Sequence, residues 1–267
     1  MPKTFKQMPS FEGVAAGQTA TLRLPIGQTY HALYIPFNGV TLAQMTGIRV
    51  VANGKAIHTY SSGEVLNKMN MDEGRESANT AKILVIDFER YGMEGRSARE
   101  LTALGTGHPK DPTPITTLAV EIDISPDAAG PALSCRALRS APTPLGMMKK
   151  VRRFSYNAPG EGDYEISDLP KGELINQAFF LTDQVLSVKL ERNSYVEFER
   201  TATENKLIRR NAERKPQAGQ FVYDPVEFGN GSETLATRGV NDLRFILNMA
   251  QAAPVETVVV YLGALDG

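Results

Sequence analysis

Two halves of this chain carry the same punctuation in the same order, and a fold that honours both must build one structural unit twice. Leu24-Pro-Ile-Gly27 closes a short run in which Ala20, Leu22 and Leu24 alternate with Thr19, Thr21 and Arg23, the period-2 pattern of a half-buried strand. Leu169-Pro-Lys-Gly172 closes a second such run, which holds Tyr164 and Ile166. Asn53-Gly54 lies between two apolar segments and reads as a hairpin turn, because type I′ geometry needs positive φ at both central residues and Asn-Gly accepts it. Asn193-Ser194 stands in the same place 140 residues on. A helix start follows each hairpin: Ser61-x-x-Glu64 and Thr201-x-x-Glu204 place a hydroxyl and a carboxylate to satisfy the free N–H groups of a first turn. Val65, Leu66 and Met69, then Leu207 and Ile208, give these helices an apolar side to lay on a sheet.

Extended segments dominate the rest. Leu84, Ile86 and Phe88 alternate, as do Leu118, Val120, Ile122 and Ile124, and Leu186, Val188 and Leu190. Residues 258–262 form an unbroken apolar run, as in a strand buried on both faces. A chain of 267 residues is long enough for two cores. The expected fold is therefore all-β: two tandem β-sandwiches of about eight strands, each with a short helix. Their domains cover 1–140, with an N-terminal arm, and 141–267, joined near Arg139-Ser-Ala-Pro-Thr-Pro-Leu145. A sandwich of that strand count that wraps its edges is a jelly roll.

The chain is poor in the constellations that catalysis needs, so no enzyme is expected. His31, His58 and His108 are scattered, and neither H-E-x-x-H, Cys-x-x-Cys nor G-x-S-x-G occurs. His58 reads as a surface strand residue and Cys135 as a small buried hydrophobe. The segment from Gly47 to Lys55 resembles a phosphate loop but spaces its glycines wrongly and puts Ala56 where a hydroxyl should hold magnesium. Asp72-Glu73, Glu161-Gly-Asp163 and Glu121 with Asp123 read as solvated acidic turns, and calcium between subunits stays open because ligands from two chains leave no contiguous motif. A formal net charge of −1 supplies no field for a polyanion, which argues against direct nucleic-acid binding. One cysteine and an N-terminus without a signal-like apolar run lead us to expect folding in a reducing cytoplasm. One cationic run stands out: Lys149, Lys150, Arg152 and Arg153, after Met147 and Met148. It reads either as a membrane-facing cluster, worth about 1 kcal/mol per cation at an anionic lipid surface, or as a solvated strand face.

Several blocks, spread through both halves, resemble the major capsid proteins of corticoviruses, icosahedral bacteriophages with an internal membrane. They are Val14-Ala-Ala-Gly17, Leu24-Pro-Ile-Gly-Gln-Thr-Tyr30, Gly39-Val-Thr41, Ala103-Leu-Gly-Thr106, Ala128-Ala-Gly-Pro131, Asp168-Leu-Pro170, Asp242-Leu-Arg244 and Tyr261-Leu-Gly263. The resemblance implies a double jelly roll forming homotrimers of pseudo-hexameric outline, which tile an icosahedral shell over a lipid membrane. The partners it implies are neighbouring capsomers, a vertex (penton) protein and internal membrane lipids or membrane proteins. It also implies location in the virion capsid after synthesis in the host bacterial cytoplasm, and an association with calcium for which no ligand pattern is matched. The competing reading is a tandem adhesive or carbohydrate-binding β-sandwich. That role usually rests on exposed aromatics, and this chain has no tryptophan and 7% aromatic residues.

Overall fold

The alternating runs become strands, and the strands of each half sort into two sheets. A computed structural model describes residues 2–265 and divides the chain into two units, one reaching Val151 and the other covering Arg152–Gly263. In the first unit, β1 (Thr4–Gln7), β2 (Thr19–Arg23), β3 (Thr29–Asn38), β4 (Met45–Ala52) and β5 (Lys55–Tyr60) precede helix α1 (Gly63–Asp72). The short helix α2 (Ala78–Ala81), β6 (Ile83–Asp87), helix α3 (Arg96–Glu100), β7 (Leu104–Gly105), β8 (Leu118–Ile124), β9 (Ala132–Leu133) and β10 (Arg136–Ser140) complete it. One sheet runs β1-β10-β3-β6, with β7 and β9 also against β3, and the other runs β5-β4-β8-β2.

Strand β11 (Met148–Ala158) leads into the second unit. There β12 (Gly162–Ile166), β13 (Leu174–Leu181), β14 (Val185–Arg192), β15 (Tyr195–Thr201), helix α4 (Ala202–Asn211), β16 (Phe221–Tyr223), β17 (Leu235–Ala236), β18 (Leu243–Met249) and β19 (Ala253–Gly263) follow. The sheets run β11-β19-β13-β16, with β17 against β13, and β15-β14-β18-β12. Apart from β9, which has no counterpart, this is strand for strand the order of the first unit, with α4 in the place of α1. The chain is an all-β double jelly roll.

Each unit buries the inward residues of both its sheets. Leu22, Leu33, Ile35, Ile48, Val50, Leu84, Ile86, Val120 and Ile122 do so in the first, and Val188, Leu190, Phe180, Phe245, Leu247, Val259 and Tyr261 in the second. Burial of each such side chain contributes about 1.5–3 kcal/mol. Two blocks that the resemblance picks out, around Gly39 and around Gly130, prove to be neighbours. A Cβ on Gly39, where φ is +64°, would lie 2.1 Å from the Gly130 carbonyl oxygen, so only glycine fits that approach.

Three sequence expectations shift. Ser62, not Ser61, caps α1, accepting from the Val65 N–H at 3.3 Å, whereas α4 has the full expected box of Thr201 and Glu204. Leu207 does not lie against a sheet: it is 59% exposed, and the buried side of α4 is polar, formed by Asn205 and Arg209. Leu186 also faces outward, because a bulge between Val185 and Ser187 shifts the register and turns Val185 inward instead.

Candidate functional site

The polar side chains that the fold brings together form a frame that occurs once in each unit. At the Leu24-Pro-Ile-Gly27 turn, the buried Thr106 hydroxyl accepts from the Gly27 and Gln28 N–H groups (3.1 and 3.2 Å) and donates to the Gln28 carbonyl (2.7 Å). At Leu169-Pro-Lys-Gly172, the buried Thr237 hydroxyl accepts from the Gly172 N–H (2.8 Å) and donates to the Glu173 carbonyl (2.5 Å). β7 and β17 deliver these threonines beside the start of β3 and of β13. Ala103-Leu-Gly-Thr106 was visible as a block, but a lone threonine has no spacing signature, so neither clamp could be read from the chain.

The hairpin asparagines form a second matched pair. Asn53 and Asn193 both hold φ at +49°, followed by Gly54 and Ser194 at positive φ, as the turn reading requires. The Asn53 Oδ1 accepts from the Thr116 and Thr117 N–H groups (2.8 and 3.1 Å), and its own N–H donates to the Thr117 carbonyl. The Asn193 Oδ1 accepts from Asn241 and Asp242 (both 3.1 Å), and its N–H donates to the Asp242 carbonyl. Each asparagine therefore ties a hairpin to the entry of the neighbouring strand, β8 or β18.

Beside α1 and α4 lie matching buried ion pairs. Arg75 donates to both oxygens of Asp87 at 2.6 Å, and Arg214 and Arg209 reach Asp224 at 3.1 and 3.3 Å. The Asn70 amide donates to the Val85 carbonyl and the Asn205 amide to the Val222 carbonyl (2.8 and 3.0 Å). Partnered in this way, buried charges and amides are tolerable and become costly to break. The arrangement fixes loops, and its arginines and aspartates are paired with one another.

The cationic run does not form one exposed face. Lys150 is 4% exposed, and the Lys149 ammonium turns into the first unit to donate to the Glu89 carbonyl at 3.1 Å. Burial lowers the Lys149 pKa against the opposing pull of Glu73, Asp87 and Glu89. Arg152 pairs with Glu173 at 3.0 Å and Arg153 with Glu256 at 2.8 Å.

His58 is fully buried rather than on a surface, because residues 148–151 of β11 run parallel to β5 and cover it, with Val151 opposite His58. Its Nε2 lies 2.9 Å from the Lys149 carbonyl oxygen, and burial pushes its pKa down to about 3. Cys135 is buried as expected, and burial alone pushes its thiol up to about 12, which keeps it protonated and unreactive.

Glu161 and Asp163 are exposed as expected, whereas the other two acidic pairs are held within the fold. Arg49 donates to both oxygens of Asp123 and to Glu121, and Asp72 is buried instead of solvated. Among the described residues, His31, Glu89 and Glu100 are the three ligand-type side chains close enough to share an ion. The Lys3 ammonium lies on the two carboxylates at 2.6 and 3.0 Å, and the His31 Nδ1 is 2.5 Å from Glu89. Burial pushes the Glu89 carboxyl up, but the bonds and charges of His31 and Lys3 outweigh it and hold Glu89 below the usual carboxylate range.

Comparison with known proteins points the same way as this frame. The family model for the viral coat protein P2 N-terminal domain matches residues 5–140, and that for the C-terminal domain matches residues 148–265. The major capsid protein P2 of Pseudoalteromonas phage PM2 is 27% identical over 98% of this chain and 97% of its own length. The crystal structure of that capsid protein from bacteriophage PM2 superposes with a TM-score of 0.91 at 26% identity, covering 98% of each chain. The STIV MCP superposes with a TM-score of 0.72 at 10% identity, over 99% of this chain and 98% of its own, which is a likeness of fold.

Proposed function

This chain belongs to the viral coat protein P2 family and is a major capsid protein, and from that premise we propose that it works as a homotrimer of pseudo-hexagonal outline. In this reading the trimers tile an icosahedral shell over an internal lipid membrane. They meet neighbouring capsomers along their sides and a separate vertex protein at the fivefold positions, after synthesis in a bacterial cytoplasm. The part played is structural throughout, with jelly rolls over 1–140 and 141–267, and any calcium serves contacts between subunits.

The observation that carries the proposal is the repetition of strand order together with the two clamp pairs, Thr106 with Thr237 and Asn53 with Asn193. A chain that presents two similar outlines lets three copies fill a six-sided tile, whereas a single-unit chain would need six. Native mass measurement on the purified protein is expected to give three chain masses, and negative-stain images six-cornered particles. A monomer under both would overturn the trimer.

For the lipid face, the proposal narrows to Arg152 and Arg153, whose side chains keep 34% and 43% of their exposure. Changing both to Gln should weaken flotation with vesicles rich in anionic lipid; unchanged flotation removes them from that role.

A further inference from the structure

The repetition leaves two strand edges open that their counterparts in the same chain have closed. In the first unit β5 is exposed at Lys55 and Ala56 but buried at Ile57, His58 and Tyr60, where the opening residues of β11 lie parallel to it with Val151 opposite His58. Those opening residues are themselves mostly buried. β15 occupies in its sheet the place that β5 occupies in the first unit, and β1 occupies the place of β11. β15 is exposed at five of its seven residues and β1 at all four.

Neither open edge looks like one meant to face water. β15 begins with Tyr195 at 77% exposure and Val196 at 52%, and β1 carries Phe5, which is also exposed. An uncovered edge with apolar residues is a template for pairing with another strand. The charges also complement each other: β15 presents the exposed Glu199, next to a Glu197 that Arg192 holds, while β1 presents the exposed Lys6. In the first unit, too, the covering segment is the cationic one, since it contains Lys149 and Lys150.

We infer that β1 of one copy lies parallel to β15 of the next, so that β10-β1-β15 across two copies reproduces what β19-β11-β5 does within one chain. The occupant of each edge is thus a second copy of this same protein. The contact is heterologous, one patch against a different patch, and such contacts close into a ring when the rotation allows. This inference rests on the trimer proposed above and adds which edges meet in it.

Disulfide trapping tests it. Strands that pair lie about 4.8 Å apart, inside the roughly 4.4–6.8 Å Cα separation that a disulfide bridges. Cysteine is placed at Phe5 or Lys6, adjacent residues that sample both faces of β1, and combined with cysteine at Val196, Glu197 or Glu199. All five positions are exposed, and the native Cys135 is buried and gives no background. Mild oxidation of the full-length protein should give covalent trimers in at least one of the six double variants and in none of the five single ones. Three chain masses in native measurement with no covalent species in any of the six would overturn the pairing of these edges and leave the trimer in place. A single chain mass would overturn both.

Discussion

At the residue scale, His58 shows how a side chain can be misjudged when its cover comes from far along the chain. Alternation places it on a strand, and nothing nearby in sequence announces that residues 148–151 will lie over it. Once covered, the ring is neutral, donating to the Lys149 carbonyl and sitting 3.5 Å from the Tyr60 hydroxyl. Burial, with the Lys149 charge adding to it, pushes its pKa to about 3. Above pH about 6.5 the ring is neutral folded or unfolded, and its titration costs nothing. As the pH falls from there towards about 3, only the unfolded chain takes up the proton, so stability is lost across that window. Phe198 holds the equivalent position in the second unit, opposite Leu190 as His58 is opposite Val50. His58→Phe should therefore narrow the gap in Tm between pH 7 and pH 4.5, measured by thermal unfolding; an unchanged gap would mean that other groups set the acid sensitivity. The burial of Lys149 and Lys150 was hidden for the same reason, since the carboxylates around Lys149 come from the residue that ends α1 (Glu73), from β6 (Asp87) and from the segment after it (Glu89).

At the element scale, the turns were legible and the helix faces were not. An Asn-Gly or Asn-Ser pair announces positive φ from its own chemistry, and both hairpins formed where the chain placed them. A helix underside is set by what it covers. α4 sits over the Asp224 ion pair, so Asn205 and Arg209 are its buried residues and Leu207 points away. The threonine clamps of β7 and β17 are the sharpest case of a feature that spacing cannot reveal. Thr106→Val keeps the shape but leaves the Gly27 and Gln28 N–H groups without their acceptor, and Thr237→Val does the same to Gly172. Each change should cost about 1–3 kcal/mol in denaturant unfolding. A loss under about 0.5 kcal/mol would show that water replaces the hydroxyl.

At the scale of the whole molecule, the order of turn signals was enough to read the duplication, because order survives where individual residues drift. The two clamps are built from separate cores. The double variant of Thr106 and Thr237 should accordingly lose the sum of the two single losses within about 0.5 kcal/mol; a clear departure would couple the halves energetically. What the chain could not show is which edges remain bare, since that depends on where β11 happens to run. The parallel sense of β11 against β5 has a last consequence. Antiparallel seams look alike from both ends, but a parallel one has a direction, and a copy that joined upside down would pair antiparallel and set different side chains against its neighbour. If the inferred β1–β15 seam keeps that sense between copies, every member of the ring shares one orientation, and the two faces of a tile differ before it meets another.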